Sequence, residues 1–299
     1  MKKFRIHFII IGAAKAGTTS LARWLGGTPS CCLSEPKETM FFGSERRHRE
    51  GLDWYRRTYF PHWDGSSLPG EATPAYSDRT ECPGTPERVF AHNPETRILY
   101  MVRNPVERTE SAWRMWASLE PHGNPFADHL IERARAGFHA WLEDDTVFRH
   151  ITETNRYAWQ WEAWKAFPDH RKMTLFLEDL QADKENTLRQ VAEFLEIPAA
   201  PLLEKSSQNH NTADSRVAKT PLRKRVEKNP LWCSVKQFVP DAMKRRILET
   251  SLGTRKAELP AEGWRPHLKR RFLEEIREDT RRILQEHGKP GNYWELETE

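Results

Sequence analysis

Phe8-Ile9-Ile10-Ile11-Gly12-Ala13-Ala14-Lys15-Ala16-Gly17-Thr18-Thr19-Ser20-Leu21 runs from an apolar tetrad into a Gly/Ala loop carrying one lysine, then into a helix start. Ile9 to Ile11 read as a buried parallel strand, and Gly12 and Gly17 let the backbone approach a ligand closely. Thr18, Thr19 and Ser20 stand at a helix N-terminus, where free N–H groups and hydroxyls meet anionic oxygens. The Gly12 to Gly17 spacing is that of a G-x-x-x-x-G-K-[ST] loop, but Thr18 occupies the lysine position and the only lysine is Lys15, inside the loop. A lysine moved there suits a shorter anhydride than a triphosphate, with the cation at the bridging or terminal group.

A second apolar strand, Thr96-Arg97-Ile98-Leu99-Tyr100-Met101-Val102, ends in Arg103-Asn104-Pro105-Val106-Glu107-Arg108-Thr109-Glu110-Ser111-Ala112-Trp113. Pro105 belongs at a helix start, where its missing N–H costs little. Arg103 leaves the strand's carboxyl end and Ser111 follows eight residues later, about two turns into the helix. A forked guanidinium and a hydroxyl placed this way bracket a phosphomonoester.

With these residues the chain resembles the sulfotransferases that use 3′-phosphoadenosine 5′-phosphosulfate (PAPS), in their bacterial and heparan-sulfate-type branch. The Gly12–Leu21 loop resembles their 5′-phosphosulfate loop, and Arg103 with Ser111 resembles their 3′-phosphate site. Between them, Glu35-Pro36-Lys37-Glu38-Thr39-Met40-Phe41-Phe42 resembles the K-E-x-x-F-F element, and Gly70-Glu71-Ala72-Thr73-Pro74-Ala75-Tyr76 the E-x-[ST]-P-x-Y element. Leu175–Leu180 and Val191–Leu195 resemble the family's E-D-L strand and F-L helix. The resemblance implies a P-loop-like fold, PAPS as co-substrate, 3′,5′-ADP as product, and no metal. It implies that Ala14, Lys15, Ala16, Gly17, Thr18, Thr19 and Ser20 hold the phosphosulfate. Glu38 would be the general base, and Lys37 a further ligand of the leaving group or sulfuryl oxygens. Asn209-His210-Asn211, Ser215-Arg216 and Arg223-Lys224-Arg225 resemble the basic loop over the 3′-phosphate, which adds Arg216 and Arg223 to the donor site. Ala72 departs from the lysine of the heparan enzymes and argues against a heparan-like acidic acceptor.

Sulfuryl transfer sets three tasks: stabilising the leaving phosphate, holding the sulfuryl oxygens and removing the acceptor proton. Lys15 suits the first, because its Ala and Gly neighbours have no other use for a cation. If Glu38 is the base, partial burial by Phe41 and Phe42 is expected to raise its affinity for a proton; the competing base is a histidine such as His48 or His62. The expected acceptor is a small molecule or glycan, at a hydroxyl ahead of an amine. Two other classes stay open: a P-loop small-molecule kinase and a non-catalytic nucleotide-binding protein.

Composition is compatible with this. The chain has 299 residues, enough for one α/β domain with a sizeable core. Its hydrophobic content of 37% and mean hydropathy of −0.80 exclude a membrane span. The apolar start runs straight into the loop with no small-residue cleavage site, which leads to the expectation of a cytoplasmic protein. A net charge of +4 does not call for nucleic acid, and Cys31, Cys32, Cys82 and Cys233 lack metal-site spacing. Oligomeric state is left open.

The expected architecture is a doubly wound α/β fold over residues 1–299 with a helical C-terminal part. Strands are expected at Phe8–Ile11, Arg97–Val102 and Lys172–Phe176, and helices near Thr19–Leu25, Val106–Ala117, Ala158–Ala166, Asn186–Leu195, Pro240–Leu252 and Leu268–His287. Pro61–Pro69 and Glu81–Pro94 read as loops. Most of the 12 tryptophans are expected in the core, with a few lining an aromatic acceptor pocket.

Overall fold

Strand β1 (Phe8–Gly12) is buried along its whole length and forms the centre of a five-stranded parallel sheet of order β2-β3-β1-β4-β5. In this computed structural model, residues 4–208 and 262–296 are described, together with two short antiparallel strands at Val217–Lys219 and Thr254–Lys256. The expected Pro240–Leu252 helix lies outside them, as do Arg216 and Arg223. β4 (Arg97–Val102) pairs with β1, and β5 (Lys172–Phe176) pairs with β4, both where the apolar runs place them.

The other half of the sheet, β2 (Cys31–Leu33) and β3 (Leu68–Ala72), carries no apolar run of its own. The loop expected over Pro61–Pro69 is present through residue 67, and β3 takes its last two residues, Leu68 and Pro69. Pro69 cannot donate to a ladder, but its carbonyl accepts from His7 N at 2.8 Å, so the strand survives between β2 and β1. The loop expected over Glu81–Pro94 is corrected. It contains helix α4 (Thr85–His92), with Gly84 as N-cap at φ 72° and Pro86 in the first turn, where proline is tolerated.

In chain order, helix α1 (Thr18–Gly26) follows β1, and α2 (Glu45–His48) and α3 (Gly51–Tyr59) lie between β2 and β3. α5 (Pro105–Ser118) follows β4, ahead of α6 (Pro125–Arg135), α7 (Phe138–Leu142), α8 (Asp145–Asn155) and α9 (Tyr157–Glu162). α10 (Leu177–Ala182), α11 (Lys184–Leu195), α12 (Ala199–Ser207) and the long α13 (Pro266–Glu286) complete the described helices. α9 stops at Glu162, short of the expected Ala166.

One apolar cluster surrounds the sheet. A second joins Trp113 of α5 to Leu130, Phe138, Trp141 and Ile151 of α6 to α8, and to Phe272 and Ile276 of α13. The indole N–H of buried Trp113 donates to the Ala134 carbonyl at 2.9 Å, which satisfies its polar atom inside that cluster. The Glu178-Asp179 pair is structural. Glu178 accepts from Asn104 N at 2.8 Å and Trp294 Nε1 at 3.1 Å, while Asp179 accepts from Lys289 at 2.5 Å and Tyr293 at 2.7 Å. The segment after α13 is thereby fixed to the start of α5.

Candidate active site

The chain leaves β1 toward β2 and β3 on one side, then crosses to β4 and β5 on the other, so the direction of winding changes beside β1. Ligands of open α/β sheets bind at such a point, at the strands' carboxyl ends. The loop after β1 and the start of α5 after β4 meet there. Arg108 Nε donates to the Ala14 carbonyl at 2.8 Å and Arg103 Nη1 to the Lys15 carbonyl at 3.4 Å. The two segments recognised separately in sequence thus form one unit, and Arg108, which the sequence reading left without a role, braces the loop.

Within that loop Lys15 takes φ 71° and Gly17 φ 93°, so the backbone bends sharply before α1. A Cβ on Gly12 would lie 2.1 Å from Ser77 Oγ, because the short 3-10 turn Pro74–Ser77 packs directly on the loop. The first turn of α1 contains no acidic residue, which leaves its N-terminal field unopposed. Thr18 is buried, Ser20 partly so and Thr19 exposed. Arg103 also pairs with Glu107 at 2.7 Å, yet its Nε is buried with no hydrogen-bond partner. A buried, unused guanidinium donor is an incentive to bind an anion. Ser111 is nearly buried on the same helix.

The K-E-x-x-F-F and E-x-[ST]-P-x-Y elements are tied together through Thr39. Its N–H donates to Thr73 Oγ1 at 3.1 Å, its hydroxyl donates to Glu71, and Tyr76 Oη lies 3.2 Å from that hydroxyl. Tyr76 Oη also accepts from Phe42 N at 3.0 Å. This buried network fixes the backbone that carries Glu38. Burial pushes the Glu71 carboxyl up from 4.5 to about 7, against the lowering effect of the hydrogen bond it accepts from Thr39 and of the nearby Tyr55 and Tyr76 hydroxyls. A carboxyl raised on folding binds its proton more tightly in the folded state, so its stabilising contribution is complete below about pH 4.5 and is lost as pH rises through about 7. Stability should therefore fall over that window by a term on the order of 3 kcal/mol. Urea unfolding of the wild type and of Glu71→Gln tests this: the variant should lose that part of the slope, and an unchanged slope would contradict it.

A cavity of about 470 Å³ opens beside the loop. Ala14, Lys15, Thr18, Thr19 and Glu38 line it together with Met115, Trp116, Phe126 and His150. Glu38 and Lys15 therefore border the same space. The surroundings of Glu38 differ from expectation. Phe41 and Phe42 are fully buried, Phe41 stacking on Tyr55 at 4.2 Å, whereas the Glu38 side chain is 54% exposed and pairs with Lys37. Lys37 is tied to Glu38 and is not part of the cavity wall.

Neither histidine considered from sequence lies in this wall. His48 packs on Phe41 at 5.2 Å, and His62 borders a different recess with Cys32 and Asp64. Among the described residues the cavity's histidine is His150 of α8, set edge-to-face on Phe126 at 5.2 Å and 3.9 Å from the Asp78 carboxylate. Burial first and then Arg108 lower its pKa, while Asp78 raises it, with a net downward shift. Sequence offered no signal for it, since a lone histidine on a helix has no spacing to read. Among the tryptophans, Trp113 and Trp164 are core and Trp116 lines the cavity. No group of acidic, histidine and cysteine side chains suited to a metal ion occurs among the described residues, and none of their helices is long and apolar enough to cross a membrane.

A parallel sheet, a glycine-containing loop at its switch point and a second basic element joined to it through Arg103 and Arg108 make up the candidate site. The chain belongs to the sulfotransferase family, matching its sulfotransferase domain over residues 5–288. It is 30% identical over 188 residues to mouse heparan sulfate glucosamine 3-O-sulfotransferase 3B1, covering 62% of this chain and 45% of that protein. It is 32% identical over 109 residues to the membrane-associated sulfotransferase kil1 of Dictyostelium discoideum, covering 36% of this chain and 22% of that one. The chain thus spans less than half the length of these curated relatives. In fold it is similar to a sulfotransferase from Alicyclobacillus acidocaldarius, with TM-score 0.61 and 20% identity over 98% of this chain and all of that one. It is also similar to mouse sulfotransferase SULT7A1 complexed with PAP, with TM-score 0.53 and 17% identity over 96% and 90% of the two chains.

Proposed function

We propose that the chain is a single sulfotransferase domain that moves a sulfuryl group from PAPS to an acceptor hydroxyl by in-line transfer, releasing 3′,5′-ADP without a metal. The observation that carries this reading is the junction of Arg103 and Arg108 with the Ala14 and Lys15 carbonyls, which puts two separate anion-binding elements side by side. A nucleotide phosphorylated at both the 3′ and 5′ positions suits such a pair. The N–H groups of Gly17, Thr18 and Thr19, with the Thr and Ser20 hydroxyls, hold the phosphosulfate, and Arg103 and Ser111 hold the 3′-phosphate. As the acceptor oxygen bonds to sulfur, the sulfur to bridging-oxygen bond breaks. Lys15 meets the charge left on the phosphate and Glu38 takes the acceptor proton. The location expected from the sequence, the cytoplasm, belongs to the same reading and is tested by cell fractionation.

Calorimetry checks the donor assignment. Arg103→Ala should weaken 3′,5′-ADP by roughly 1.5–3 kcal/mol, the scale of a lost charged hydrogen-bonding partner, and leave 5′-AMP nearly unchanged. Equal losses for both nucleotides would reduce Arg103 to a brace for the loop, through its contact with the Lys15 carbonyl.

A further inference from the structure

The cavity wall away from the loop carries information about what is sulfated. Resting on the transfer reading above, we propose that the acceptor is an uncharged alcohol or phenol with an apolar body, and that Asp78 and Glu81 exclude acceptors bearing an anion beside that body.

Met40, Pro74, Met115, Trp116, Phe126 and Ile151 give the cavity a mainly apolar wall. Its volume of about 470 Å³ is in the range of sites that enclose a small ligand. Trp116 and Phe126, from α5 and α6, share the wall of one cavity with Lys15 and Glu38. An acceptor with its body against these rings therefore occupies the same space as the two residues assigned to the transfer.

The charges in the wall oppose an anionic acceptor. Lys15 is assigned to the donor, and Arg108 keeps its positive charge while its Nε donates to the Ala14 carbonyl. Against that one further cation, the charged side chains of the wall among the described residues are three carboxylates, Glu38, Asp78 and Glu81. Asp78 is nearly buried and its Oδ1 accepts from Thr80 N and Glu81 N, each at 3.1 Å, which fixes it at the wall. Glu81 is exposed at the rim of the wall, and partial burial first, then the neighbouring Asp78 and Glu153 carboxylates, push its carboxyl above its ordinary value. Ala72, at the position where the heparan enzymes have lysine, is fully buried and supplies no cation. Of these carboxylates Asp78 is the buried one, and a like charge held at a buried wall is an element that works against an anionic partner. The inference therefore parts from the heparan sulfate named for the relatives.

The test uses the full chain saturated with 3′,5′-ADP, titrated calorimetrically with p-alkylphenols and with p-alkylbenzoates of matching chain length. Phenol affinity should rise roughly fourfold per added methylene until the cavity is full, as expected for burial of a CH₂ group. The benzoates should bind at least about 10-fold more weakly, and Glu81→Gln combined with Asp78→Asn should narrow that gap. Trp116→Ala should weaken the longest tolerated phenol by roughly 10- to 100-fold while 3′,5′-ADP still binds. Affinity that does not change with chain length, or benzoates that bind as tightly as phenols, would overturn the proposal. Radiosulfur transfer from labelled PAPS separates the two claims. Transfer to an N-sulfated heparan oligosaccharide but not to the phenols overturns the acceptor class and leaves the transfer reading standing. Transfer to neither, with 3′,5′-ADP still bound, overturns the transfer reading and the class with it.

Discussion

Lys15→Ala should lower kcat by about 10²–10³, the effect of removing one preorganised donor from a developing oxyanion. The lysine is held at φ 71° in a loop whose carbonyls at Ala14 and Lys15 are bound by Arg108 and Arg103, and its residue borders the same cavity as Glu38. On the proposed reading its ammonium meets the charge that builds on the bridging oxygen. Affinity for 3′,5′-ADP should fall much less than kcat, because the backbone N–H groups of α1 and the 3′-phosphate site remain. A variant that loses binding and turnover in equal proportion would make Lys15 a general electrostatic anchor instead of a group that acts on the transition state.

Glu38→Gln should lower kcat by about 10²–10⁴ with donor affinity nearly unchanged, since the amide keeps the shape and cannot accept the proton. The decline of kcat/KM toward acid pH should disappear with the carboxylate. Glu38 reaches the cavity from a backbone fixed by the Thr39, Glu71 and Tyr76 network, so the substitution leaves its support in place. Near-wild-type turnover in this variant would pass the role of base to a histidine. The geometry then points to His150, which borders the cavity, and away from His48 and His62, which do not.

How much of this was legible in the sequence follows from what each element depends on. β1 and β4 are buried on both faces and read as apolar runs, so their composition alone marked them, whereas the edge strand β5 is buried only at Leu175 and Phe176 and is marked by a mixed run, Lys-Met-Thr-Leu-Phe. β3 is Leu-Pro-Gly-Glu-Ala; it is a strand because β1 and β2 flank it, and nothing in its own residues states that. The α4 helix has only Val89 and Phe90 as bulky apolar residues and a proline in its first turn, which reads as punctuation. In the candidate site, Lys15, the α1 N-terminus, Arg103 and Ser111 could be nominated from local spacing after a strand end, and the structure joins Arg103 to the Lys15 carbonyl. Glu38 came from the resemblance, and its exposed pairing with Lys37 in place of cover by Phe41 and Phe42 emerged only from the fold. Asp78, Trp116 and His150 come from three separate elements, and only the packing of α5, α6 and α8 around the turn at Pro74–Ser77 brings them to one cavity.

The central claim, sulfuryl transfer from PAPS, is tested most directly by following label. The wild-type chain is incubated with radiosulfur-labelled PAPS, or with γ-labelled ATP and Mg²⁺, and a mixture of p-alkylphenols and N-sulfated heparan oligosaccharides. Label from PAPS should appear on an acceptor in the presence of a chelator, with 3′,5′-ADP formed in equal amount, and none should pass from ATP. Label that moves from ATP and not from PAPS would make the chain a kinase and contradict the account.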